Sequence, residues 1–89
     1  MRLLLHEYTE TVVVDGCEYV ARAYGAELPD GHWEGWIEFV ADDGPPLSTD
    51  RETTQASSAA LGYWASGLEP VYLEGAFARA RAHQERHAA

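Results

Sequence analysis

The chain reads as an α+β fold, an antiparallel three- to four-stranded meander with two C-terminal helices packed on one face. Three observations predict it. Turn sequences at Asp15-Gly16 and Pro29-Asp30-Gly31 separate runs of β-forming residues. Apolar stripes at helical spacing begin only after residue 57. A short sheet also needs a layer to bury one face, and those late helices are the elements free to supply it.

The first strand is expected over Tyr8 to Val14 (YTETVVV), rich in β-branched residues, with residues 1–7 either extending it or fraying. A two-residue Asp15-Gly16 loop sets Val12 opposite Tyr19 and Val13 opposite Glu18. Tyr8 and Val12 then face the core, and Thr9, Thr11 and Val13 face out. The same register points Glu10 at the core opposite Ala21, a conflict unless Glu10 lies at an edge.

The second hairpin, Cys17 to Val40, anchors the sheet. Proline presets φ, Asp30 can bond nearby backbone and Gly31 suits the left-handed position of a three-residue loop. If Leu28 and His32 close the loop, opposed residue numbers sum to 60. One face then pairs Gly25 with Gly35, Ala23 with Ile37 and Ala21 with Phe39, small residues against large ones, which leaves room for helices. The other pairs Tyr24 with Trp36, Arg22 with Glu38, Ala26 with Glu34 and Val20 with Val40. Slipping the register by one residue would exchange the two faces, so their agreement supports the pairing.

Asp42 to Pro46 is a loop by composition. Leu47 to Gln55 has almost nothing apolar, so an edge strand followed by a loop is expected, although Thr49-x-x-Glu52 matches a capping box. Ser57 or Ser58 caps a first helix whose stripe is Leu61, Trp64, Ala65 and Leu68, ended by Gly67. Pro70 opens a second, burying Leu73, Ala76, Phe77 and Ala80. The pattern fades beyond Ala82, and 83–89 is expected to fray. The 89 residues read as one domain.

Charge is uneven. Residues 1–50 hold 11 acids and 2 arginines, a net of −9, while residues 51–89 balance four acids with four arginines. A negative field of this kind repels phosphate backbones and anionic bilayers, so neither nucleic acid nor a membrane is expected as a partner; it favours solubility, which is the plainer reading of the charge, and attraction to basic proteins or cations. No run of about 18 apolar residues is present, and Leu3-Leu4-Leu5 is too short for a signal-peptide core. A single cysteine fits a reducing, cytoplasmic setting.

The candidate binding residues are Arg22, Tyr24, Trp36 and Glu38 on the uncovered sheet face, a composition typical of protein interfaces. They suggest a partner protein or self-association; an ordinary solvent face stiffened by cross-strand pairs is the plainer alternative. A second polar patch is Arg51, Glu52, Thr53, Thr54 and Gln55, in a connection of the kind that often carries function. It supports the alternative of a small enzyme or ligand-binding protein. Tyr72, Arg79, His83 and Arg86 line one flank of the second helix and could grip an acidic partner. His83 and His87 lie four apart, but HQERH is not the HExxH zinc motif and no third ligand is apparent. Cys17 with His6 or His32 lacks a group to orient a base. No catalytic residue, metal or cofactor is assigned.

WEGWIEF (33–39), RETTQ (51–55) and YWASGLEPVYLEGAFARA (63–80) together resemble a group of short bacterial proteins with no activity attached. The resemblance spans about residues 19–80 and carries over no functional residue. In order of elements alone the chain is similar to HicB-type antitoxins, which bind a basic toxin. These readings converge on a small acidic domain that works by protein–protein contact or regulation.

Overall fold

The structure, a computed structural model, describes residues 1–87. It is an α+β fold with five strands, β1 (Leu3–Val14), β2 (Cys17–Glu27), β3 (Trp33–Val40), β4 (Leu47–Ser48) and β5 (Thr53–Gln55), followed by α1 (Ser58–Ser66) and α2 (Pro70–His87). The sheet runs β1-β2-β3, and β4 and β5 share the far edge of β3. All pairings are antiparallel.

The central hairpin has the expected register throughout, from Val20 opposite Val40 to Ala26 opposite Glu34. Its loop is closed by Leu28 N–H to His32 O at 2.7 Å and Gly31 N–H to Leu28 O at 3.0 Å. Gly31 has φ 91°, a conformation that costs a glycine little. Asp30 Oδ1 accepts from the His32 N–H at 3.0 Å. That bond, with weaker help from the His32 ring, holds the Asp30 carboxyl below its ordinary pKa against the opposing effect of desolvation.

β1 starts at Leu3, so the N-terminal residues extend the strand. Its pairing follows the Asp15-Gly16 turn as far as Thr11 opposite Val20 and then shifts, resuming with Glu7 opposite Arg22. The Glu10–Ala21 pairing expected from the turn is therefore absent. The extra residues between Glu7 and Thr11 bulge, leaving Glu10 exposed while Tyr8 and Val12 stay buried. A second shift falls between Leu4 and His6.

The far edge is interrupted at Thr49. Its N–H donates to Ile37 O at 2.9 Å and its hydroxyl accepts from the Ile37 N–H at 3.0 Å. A side-chain oxygen thus replaces a backbone carbonyl in the ladder, and the Thr49-x-x-Glu52 pattern starts no helix. The cap of α1 is Ser57, whose hydroxyl accepts from the Ala60 N–H at 3.1 Å. α2 continues to His87, past the point where fraying was expected; Ala88 and Ala89 lie outside the described residues.

Both helices lie on the face that carries Ala21, Ala23, Ile37 and Phe39, each fully buried. Leu73, Ala76, Phe77 and Ala80 of α2 complete a continuous core, with Phe77 edge-on to Phe39 at 5.2 Å. Leu61 is fully buried over the Gly25–Gly35 pair, apart from that cluster. A methyl group at Gly25 would collide with Leu61 Cδ2, and one at Gly35 would sit 2.8 Å from Leu61 Cδ1 and 2.9 Å from Trp64 Cζ3. The two glycines form a slot, and Leu61 fills it.

Gly25→Ala is expected to cost about 1–3 kcal/mol through overpacking. The cost should shrink in a chain that also carries Leu61→Ala, because the clash has gone. Urea unfolding of the two single variants and the double variant measures this coupling; additive losses would show that Leu61 does not occupy the slot.

Candidate functional site

The outer face of the sheet presents the four residues singled out from the sequence. Tyr24 and Trp36 stack across β2 and β3 with ring centroids 6.4 Å apart and planes 23° from parallel. The Trp36 indole N–H donates to Glu38 Oε2 at 3.2 Å. Arg22 stands opposite Glu38 in register, but the two do not form an ion pair. Arg22 reaches instead to Glu7 on β1, 2.7 Å away, and Glu38 pairs with Arg2. The Arg2 guanidinium also lies 4.1 Å from the centroid of the Tyr24 ring, within cation–π range.

Sequence reasoning missed Arg2 and Glu7 because it assigned no register to residues 1–7, which were left either to extend β1 or to fray. With the longer strand, the face becomes a ladder Arg22–Glu7 beside Arg2–Tyr24–Trp36–Glu38. Its pairs raise the pKa of Arg22 through the hydrogen bond to Glu7 and that of Arg2 through the bond to Glu38. Leu4 and Val13 on the same face are 55% and 63% exposed, so apolar surface flanks the ladder on β1.

The second patch, Arg51 to Gln55, does not converge on one point. Arg51 turns outward to Glu34 at 3.0 Å. Thr53 pairs with Gly35 in the sheet, Thr54 is exposed and Gln55 Nε2 donates to Thr53 Oγ1 at 2.7 Å. Glu52 turns inward: its side chain is 8% exposed. Its Oε1 accepts from the Tyr72 hydroxyl at 2.6 Å and from Arg79 at 2.6 Å, and its Oε2 accepts from Arg79 Nε at 3.0 Å. On the flank of α2 that read as either solvated or able to grip an acidic partner, Tyr72 and Arg79 grip a carboxylate of their own chain.

Burial pushes the Glu52 carboxyl up, but the hydrogen bonds from Arg79 and Tyr72 and the charge of the guanidinium outweigh it. The net effect holds the carboxyl below its ordinary value. Burial, reinforced by the adjacent carboxylate, pushes the Tyr72 phenol up to about 12. Burial likewise raises Tyr8 to about 12, with its hydroxyl donating to Ala65 O at 2.5 Å. These groups clamp helices to the sheet and present no free acid or base.

The remaining candidates are dispersed. An open groove of about 220 Å³ is lined by Arg51 and His83 along with Trp36 and Asp50, and Glu52 is not part of it. The His83 and His87 rings are tilted 47° to each other with centroids 4.3 Å apart, and among the described residues no group of three or more metal-ligating side chains forms. Cys17 is exposed at the opposite end of the hairpin from His32. No described helix is long and apolar enough to cross a membrane. Compared with known proteins, the chain matches no family model, no curated protein and no solved structure.

The Glu52 clamp makes a pH prediction. A carboxylate with a lowered folded-state pKa adds stability above its unfolded value, near 4.5, and that stability is lost as pH falls through the folded value. Glu52→Gln is expected to cost about 2 kcal/mol at neutral pH, the scale of hydrogen bonds to a charged group. The gap from the parent chain should close in acid. Denaturant unfolding of both chains across the acid range tests this, and a gap that persists undiminished would contradict the clamp. At the alkaline end the sign reverses: Tyr8 and Tyr72 favour the fold below their unfolded value of 10.0, and that contribution is lost between there and about 12.

Proposed function

We propose that the protein works by protein–protein contact through the outer face of its sheet, and that its partner there is a second copy of the same chain. The observation that carries this reading is the stacked Tyr24–Trp36 pair with Arg2 laid on it, on the face opposite both helices. Aromatic and arginine side chains held in place by their neighbours lose little entropy on docking, which is why such groups dominate interface energetics.

Charge argues for a second copy. Each arginine of the ladder is matched by a carboxylate within it, Arg2 by Glu38 and Arg22 by Glu7. A patch that is neutral through matched pairs can meet its own image about a two-fold axis and exchange ion-pair partners across the contact. The remaining excess of negative charge opposes association at long range, and salt weakens that opposition.

The alternative of an enzyme or ligand-binding site on residues 50–55 has less support. Its central carboxylate, Glu52, is occupied by Tyr72 and Arg79, and the groove beside Arg51 lacks it. Interaction and regulation by contact remain the better reading of an acidic chain with a rigid aromatic surface.

Sedimentation over a concentration series should show twice the monomer mass emerging, at lower protein concentration as salt is raised. Trp36→Ala should shift the dimer midpoint upward by about tenfold or more, the scale of a central aromatic contact. A chain that stays monomeric at every concentration and salt, or a dimer indifferent to Trp36→Ala, would overturn the reading.

A further inference from the structure

We propose that the cleft beside the first hairpin turn binds an arginine-bearing peptide segment of a partner protein. The inference is independent of the outer face, because this cleft lies on the helix side of the sheet. It opens between the Asp15-Gly16 turn, the loop after β3 and one flank of α2, with a volume of about 440 Å³.

The chemistry of the cleft is that of a cation receptor with an apolar floor. Tyr19, Leu47 and Phe77 line it, and the Tyr19 and Phe77 rings are tilted against each other 4.8 Å apart. Asp15, Asp43 and Glu85 also line it, and none of the three is in an ion pair among the described residues. Elsewhere four of the chain's six basic side chains are matched with carboxylates, so the unmatched acids set the field at this end of the sheet. An aliphatic stem lying on an aromatic floor, with its charged head among carboxylates, satisfies both parts of such a site.

A guanidinium is favoured over an ammonium because it is planar, stacks on rings and pairs with carboxylates through two parallel hydrogen bonds. The cleft already holds one: Arg81 lies with its guanidinium carbon 6.0 Å from the centroid of Phe77, unpaired among the described residues. That contact joins residues four apart on α2, and the charge of Arg81 opposes a second cation entering. Removing that charge should therefore tighten binding, whereas neutralising the acidic rim should loosen it.

The probe is a capped tetra-arginine peptide, with capped tetra-lysine for comparison, titrated against the full chain by calorimetry or NMR. Binding is expected to weaken with salt and to favour arginine. It should weaken about tenfold or more in Asp43→Asn/Glu85→Gln and strengthen in Arg81→Gln. Glu27→Gln/Glu69→Gln removes the same charge at distant positions and should change binding much less. Cys17 is exposed and lines the cleft, so bound peptide should slow its alkylation in the parent chain. No binding, equal losses in the two double variants, or alkylation unaffected at saturating peptide would each overturn the proposal. Because this binding weakens with salt while the proposed dimer gains from it, the two ideas fail separately.

Discussion

Gly25 and Gly35 face each other across β2 and β3, and the side chains they lack are what allow α1 to descend onto the sheet. Leu61 enters the space left between them and becomes fully buried. Burying such a side chain contributes about 1.5–3 kcal/mol, a large share of the margin by which a small domain is stable. Further along the same face, Ala21 and Ala23 stand beside Phe39 and Ile37, and the alternation of small and bulky residues makes room for Phe77 of α2.

Placing both helices on one face has a consequence on the other. Every second residue of β2 and β3 points away from the core, and there the chain has put two aromatic rings with arginines and glutamates around them. These charges are matched locally. Three acids without an ion pair among the described residues, Asp15, Asp43 and Glu85, line the cleft at the hairpin end, so the aromatic ladder of matched charges is separate from an acidic hollow. The two surfaces differ in chemistry, and the contacts proposed for them would respond to salt in opposite directions.

Much of this was legible in the sequence because turns and alternation are local. Pro29-Asp30-Gly31 specifies a loop, the loop specifies the register, and the register assigns Tyr24 and Trp36 to one face and Gly25 and Gly35 to the other. The stripe Leu73, Ala76, Phe77 and Ala80 is equally local and is buried as read. A turn controls only the rungs near it, however, and β1 shifts beyond Thr11 to keep Glu10 in water while Tyr8 remains in the core. That shift, and the reach of β1 to Leu3, decide that Arg22 pairs with Glu7 and Glu38 with Arg2. The Glu52–Tyr72–Arg79 clamp was hidden for a related reason: its members lie far apart in sequence, and no local period links the connection between β4 and β5 to a helix flank. Tyr72 and Arg79 stood out as a stripe, but nothing in that stripe named the acid it would hold.

The central claim is spatial: the helix side chain at 61 sits between two glycines on one side of the sheet, while the indole at 36 lies on the other. Nuclear Overhauser contacts in solution report this directly. The Leu61 methyl groups should give strong cross-peaks to the α-protons of Gly25 and Gly35 and none to the rings of Tyr24 and Trp36. Methyl contacts to those rings, or the absence of contacts to either glycine, would contradict the account.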